Sequence, residues 1–368
     1  MRNPEHLAVR KSCTRFLNRD APKSPRKVLR ELSDYAAADL EADWYGEGAL
    51  LEALEGRVAT LLGKPAAVFM PSGKMGQNYA LRLWCDRRGH DTLALHPRCH
   101  IEEHEAKAYR AVHGLQAIAA GDPQRVTTLA DLEAIAEPIG AISLEMPLRD
   151  LGCRLNDWDE LGAMAAWARR RAIPFHLDGA RIWESQPFYG RPLAEIAALF
   201  DSVYVSFYKG LGGIAGGAVA GPADLIEALR LWLRRAGGRL IHVFPMALSA
   251  MKGLDERLPL MAAFHDKAKA IAEALAQLPG LRIAPEPPQA NAMQVTLETD
   301  VEDIMPAAVA VARETGLWLF DRPLSCPIPG LAQFEITVRG ATLELSDDEI
   351  VAAVESLKRH LVAGPGQP

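Results

Sequence analysis

FHLDGAR, residues 175–181, decides the fold: an apolar strand ends in an aspartate and runs straight into a glycine. In open α/β sheets, ligands bind at the carboxyl ends of the strands. A carboxylate at such an end, here Asp178, is partly dry and costly unless it meets a cation or a donor. Two readings stand side by side: Asp178 caps a turn or pairs with Arg181, or it serves a protonated pyridine nitrogen.

Outward from this stretch, short apolar runs alternate with helix-periodic segments from about residue 47 to residue 221, the pattern of βαβ units and a parallel sheet. The runs predict strands at residues 66–70, 92–95, 115–119, 141–146, 174–178, 203–208 and 215–220, a sheet of roughly seven strands. Apolar residues at three- and four-residue steps predict helices at 50–62, 75–86, 102–112, 157–171 and 193–199. After Pro222 the texture turns mostly helical, with Pro245 and Pro259 expected to break the pattern. An alternating run at 293–297, a helix at 301–315, a strand at 334–338 and a final helix at 347–361 read as a small α+β domain. The expected division is an N-terminal arm 1–44, a large α/β domain 45–250, a small C-terminal domain 251–363 and a tail 364–368.

The chain has 368 residues, 49% of them hydrophobic and 24% charged, which places it among globular proteins with a substantial core. A net charge of -6 gives no reason to expect nucleic acid or an acidic membrane surface as partner. Five scattered cysteines without a CxxC pair suggest neither a disulfide framework nor a zinc knuckle, so a reducing cytoplasm is the expected location. No apolar run reaches membrane-spanning length. Residues 1–30 are rich in Lys and Arg, but Glu5 and Asp20 argue against a transit peptide and for a solvated arm.

Three further stretches carry candidate chemistry. In SVYVSFYKGLGGIAGG, residues 202–217, Lys209 follows an apolar strand and meets glycines, so its amine is a candidate for a lowered pKa and Schiff-base chemistry. Residues 210–215 also satisfy a dinucleotide fingerprint, but the chain beyond them is strand-like where that motif needs a helix. PSGKMGQN, residues 71–78, joins a strand to a helix; with Ser72, Gly73 and Lys74 it reads as a phosphate-binding turn or as a simple glycine turn. HPRCHIEEHE, residues 96–105, contains H-x-x-E-H, which offers His100, Glu103 and His104 as a zinc site, a polar helix start, or an imidazole stacked on a planar cofactor.

In order and spacing these stretches, with DWYGEG at 43–48, resemble the low-specificity threonine aldolases and the wider aromatic amino acid β-eliminating lyases. The resemblance runs from about residue 43 to 238 and implies the fold type I architecture of pyridoxal 5'-phosphate enzymes. It implies that Lys209 forms the Schiff base, that Asp178 partners the pyridinium nitrogen, that Arg181 lies near the cofactor oxygen and that His100 stacks on the ring. It assigns Ser72, Gly73 and Lys74 to the phosphate, with Lys74 where the family usually has threonine; a lysine still binds phosphate as a point charge. Tyr45 and Glu47 match the element bordering the active site, and Arg339 is the candidate for the substrate carboxylate. Two elements depart from the family. Residues 145–150 read EMPLRD where an ENTHN-like segment is usual, and residues 237–242 read GGRLIH, where Arg239 stands in for a displaced arginine.

The resemblance implies a homodimeric or homotetrameric lyase that cleaves a β-hydroxy-α-amino acid such as threonine, allo-threonine or phenylserine to glycine and an aldehyde. Its rivals are β-elimination on the same scaffold, a zinc hydrolase built on His100, Glu103 and His104, and a non-catalytic binder. Metal content separates the zinc reading from the others, and replacement of Lys209 separates the binder from the enzymes.

Overall fold

A computed structural model describes residues 3–326 and 328–363; the tail expected at 364–368 lies outside the described residues. The chain forms two compact units, one of Pro25–Asp150 and Arg154–Met261, the other of Met1–Ser24, Leu151–Cys153 and Ala262–Pro368.

The larger unit is built on a seven-stranded sheet. Its strands are β1 (Ala66–Met70), β2 (Thr92–Leu95), β3 (Gln116–Ala119), β4 (Ala141–Glu145), β5 (Phe175–Gly179), β6 (Ser202–Ser206) and β7 (Gly217–Gly221). Their order is β1-β7-β6-β5-β4-β2-β3. All pairs are parallel except those of β7, which runs against both β1 and β6. Every residue of β4, β5, β6 and β7 is buried, which is why these segments read as continuous apolar runs and not as alternating ones. The return strand β7 is glycine-rich because its neighbours close in on it: a Cβ at Gly217 would stand 2.4 Å from the Val205 carbonyl oxygen.

Helices Ala49–Leu61, Gly73–Arg88 and Trp158–Arg170 fall where the periodicity places them. The helix expected over 102–112 does not form as one piece. It is two short turns, His100–Glu103 and Ala108–Ala111, separated by Ala106 and Lys107, both in left-handed conformation at φ 51°. Glu105, in that break, is buried and bonded to Asn78 and His100.

In the smaller unit a four-stranded antiparallel sheet joins Leu324–Ser325, Leu331–Thr337, Ala292–Glu298 and Leu281–Ala284 in that order. Val301–Thr315 and Asp347–Ala363 supply its expected helices. The basic N-terminal stretch departs from the solvated arm expected of it. Pro4–Ser12 is helical, Arg15–Phe16 pairs in parallel with Leu317–Trp318, and Phe16 and Leu17 are buried. Two adjacent large apolar residues repay this docking, roughly 1.5–3 kcal/mol each for full burial.

Candidate active site

The carboxyl ends of β5 and β6 lie side by side, and the register pairs Asp178 with Tyr204. Asp178 is 2% exposed, and its Oδ1 accepts the Ala180 N–H at 3.2 Å. Three residues beyond β6, Lys209 is partly buried. Burial lowers its pKa, and the Arg181 guanidinium lowers it further, while Asp178, Glu145 and Glu184 pull it back up. The amine is thereby biased toward its neutral, nucleophilic form. Arg181 opens the helix Ile182–Tyr189, whose first turn carries the buried Glu184. That carboxylate packs under the lysine loop so closely that a Cβ at Gly210 would meet Glu184 Oε1 at 2.3 Å.

The turn after β1 brings a helix N-terminus to the same strand ends. Ser72 occupies the N-cap of Gly73–Arg88 in extended conformation, and its side chain makes no capping bond. A Cβ on Gly73 would stand 2.2 Å from the Tyr204 hydroxyl, so this helix start approaches β6 as closely as backbone allows. Lys74 is exposed. A helix N-terminus without a side-chain cap, held open by glycine, suits a phosphate, and the buried carboxylate of Asp178 suits a protonated ring nitrogen. The residues present therefore fit pyridoxal phosphate.

The third element is the His100 turn, and here the strongest partners were not singled out from sequence. The His100 N–H donates to Glu145 Oε2 at 2.6 Å, and His100 Nδ1 lies 3.0 Å from Glu105 Oε1. Asn78 Nδ2 donates to the other Glu105 oxygen at 3.2 Å. Glu145 sits at the end of β4 in register with Asp178. Burial and then the neighbouring Asp178 charge push its pKa up, to about 7. Glu105 and Asn78 had a sequence signal, since both fall inside the stretches that carry His100 and Ser72. Glu145 was visible only as part of an altered segment.

His100 and His104 have ring centroids 5.3 Å apart, but each nitrogen in contact faces a different carboxylate, Glu105 for His100 and Asp150 for His104. Glu103 is exposed. Among the described residues no group of three or more His, Cys, Asp or Glu side chains is arranged to hold a metal ion. No described helix is long and apolar enough to cross a membrane.

Tyr45 and Glu47 are gathered around a different set of partners. The Tyr45 N–H bonds to the Ile241 carbonyl at 2.9 Å, Arg239 Nε donates to the Tyr45 carbonyl at 3.0 Å, and Arg239 also pairs with Glu47. Beneath this loop the buried Asp43 caps the helix Phe244–Glu256, its Oδ1 accepting the N–H groups of Val243 and Phe244 at 2.8 and 2.7 Å. Arg339 belongs to the other compact unit, where it opens the turn Gly340–Leu343 with its guanidinium 3.7 Å from Asp20.

The beta-eliminating lyase family matches residues 26–299. An inferred L-allo-threonine aldolase of Listeria monocytogenes EGD-E has a similar structure, with a TM-score of 0.91 and 34% identity over 97% of this chain and 100% of that one. An inferred aromatic amino acid beta-eliminating lyase/threonine aldolase of Exiguobacterium sp. 255-15 superposes with a TM-score of 0.91 at 36% identity, over 97% and 99% of the two chains. The low-specificity L-threonine aldolase 1 of Arabidopsis thaliana is 29% identical over 73% of this chain and 76% of its own. A serine palmitoyltransferase of Sphingomonas wittichii, 18% identical at a TM-score of 0.67 over 99% and 85% of the chains, shares the fold alone.

Proposed function

The chain belongs to the beta-eliminating lyase family, in its threonine aldolase branch, and from that premise we propose that it is a pyridoxal-phosphate lyase splitting a β-hydroxy-α-amino acid of the threonine type into glycine and an aldehyde. The observation that carries this reading is the convergence of Asp178, Arg181 and Lys209 at two adjacent strand ends, with the lysine amine biased toward neutrality. When bound, pyridoxal phosphate supplies a cationic conjugated ring that takes up the electron pair released at Cα. Lys209 is assigned as its attachment point and Asp178 as the carboxylate that keeps the ring nitrogen protonated. Ser72, Gly73 and Lys74 would hold the phosphate at the helix start, and Arg181 would contact the ring oxygen. His100, anchored through Glu105 and Asn78, would cover the ring and keep water from one face.

Trp44 and Tyr45 are 61% and 45% exposed, and Leu240 and Ile241 beside them are also exposed. This apolar patch supports a homodimer or homotetramer in which Tyr45 and Glu47 border the substrate site of a neighbouring copy; light scattering that finds an active monomer would overturn the assembly.

The function is tested by the visible spectrum of the purified protein before and after borohydride, with the modified peptide located by mass, and then by assays on threonine, allo-threonine and phenylserine. A bleached chromophore fixed on Lys209 together with release of glycine is the expected result. No chromophore after addition of pyridoxal phosphate would refute the cofactor; pyruvate and ammonia from serine, without glycine release, would replace the reaction by β-elimination.

A further inference from the structure

The segment His100-Ile-Glu-Glu-His104-Glu105 makes one helical turn and then reverses. His104 already leaves the helix, at φ -119° and ψ 0°, and the left-handed Ala106 and Lys107 complete the reversal. Glu105 consequently points inward to His100, and His104 stands beside the His100 ring with its own carboxylate. That partner is Asp150, 46 positions along the chain, whose Oδ2 lies 2.6 Å from His104 Nε2.

Glu145 brings the two segments together. One of its oxygens accepts the His100 N–H at 2.6 Å, at the start of the turn carrying His104, and the other accepts the Arg149 N–H at 3.2 Å, one residue before Asp150. Arg149 Nη1 bonds Asp150 Oδ1 at 3.2 Å, while Oδ2 faces the imidazole. Because Oδ2 is an acceptor, the neutral His104 ring carries its proton on Nε2 and its lone pair on Nδ1. The His104 side chain is 39% exposed, so that lone pair can be reached, whereas the Glu105 carboxylate beside it is 2% exposed.

The other groups of the cluster are occupied. Glu145 is spent on two backbone N–H groups, Glu105 on His100 and Asn78, and Asp178 on the Ala180 N–H and, in the lyase reading, on the cofactor's ring nitrogen. We propose that His104, oriented by Asp150 and positioned through Glu145, is the base that takes the proton of the substrate's β-hydroxyl. The proposal rests on the lyase reading above. In the step, the hydroxyl proton passes to His104 Nδ1, the O–H pair becomes the second bond of the aldehyde carbonyl, and the Cα–Cβ bond breaks with its pair going to Cα. A proton then returned to Cα completes glycine, so the amino acid is converted to glycine and aldehyde with no other reactant.

The test uses the holoenzyme and His104→Phe with two reactions: cleavage of threonine, and exchange of the glycine Cα hydrogens into heavy water monitored by NMR. Glycine has no β-hydroxyl, so its exchange needs the cofactor and not this base. His104→Phe should lower kcat/KM for cleavage by about 10²–10⁴-fold, the usual scale for a general base, and leave glycine exchange within about threefold of wild type, a narrow band beside that loss. Nitrogen-15 NMR of the cofactor-free protein should show His104 in the Nε2–H tautomer, a preference lost in Asp150→Asn. Unchanged cleavage in His104→Phe, equal loss of both reactions, or an Nδ1–H tautomer in the wild type would each overturn the proposal. A wild-type enzyme that exchanges glycine but cleaves no β-hydroxy amino acid would instead overturn the aldolase reading itself.

Discussion

The strand ends at Asp178 and Lys209 and the turn at His100 hold charged groups at one site by opposite means. At the strand ends the sheet does the placing: β5 and β6 are buried throughout, their ladder sets Asp178 against Tyr204, and the lysine comes three residues after β6. At the turn there is one helical turn of backbone, and side chains do the placing. Glu145 reaches from β4, Asn78 from the helix Gly73–Arg88, and Asp150 from the segment after β4. A ladder is redundant and survives a lost side chain, whereas a turn held by single carboxylates has no substitute for them.

The sharpest break between the two regions is Lys209→Ala. Turnover should fall by about 10⁴-fold or more, as when the reacting group of a site is removed, with the chromophore lost and the thermal midpoint nearly unchanged. Next comes Glu145→Leu, which strips the acceptor from two partly buried N–H groups, at most about 1–3 kcal/mol each. The denaturant midpoint should drop and hydrogen exchange at the His100 and Arg149 amides should accelerate, while the amides of β5 and β6 keep their protection. Equal loss of protection in both regions would erase the distinction.

A finer test uses pH. Burial depresses the pKa of His176 on β5 to about 4, so the unfolded chain binds its proton first; the contribution to stability is complete above pH 6.5 and is lost as the pH falls through 4. Glu145 has the opposite sign. Its pKa is raised from 4.5 to about 7, so the folded chain holds the extra proton, and its contribution is complete below pH 4.5 and lost as the pH rises through 7. Between about 4.5 and 6.5 the two oppose each other, each by at most about one proton. Glu145→Gln should therefore leave stability rising with pH across this window, and His176→Gln should leave it falling, both read from denaturant titrations. The smallest effect is expected from Arg239→Ala: its pair with Glu47 is exposed and worth about 1 kcal/mol or less.

Most of the sheet was legible because its central strands are largely apolar runs flanked by a polar or glycine-rich turn. Asp178 and Lys209 were legible for the same reason, a charged residue at the end of a run too apolar to be surface. The break inside 102–112 was not, since Ala106 and Lys107 carry no turn signature and yet stand at positive φ. Arg15–Phe16 was missed because a two-residue strand has no periodicity to read.

Composition and the order of apolar runs by themselves determined the α/β architecture, the two strand ends that face the site and the lysine and aspartate standing on them, because burial of a strand imposes its pattern on consecutive residues. The pairing of His104 with Asp150, the bond of Glu145 to the His100 amide, and the joining of Tyr45 and Glu47 to Arg239 were decided only in the tertiary structure. They are contacts between residues 45 to 194 positions apart, and a hydrogen bond of that kind depends on where the backbone delivers two side chains and leaves no periodic trace in the sequence of either.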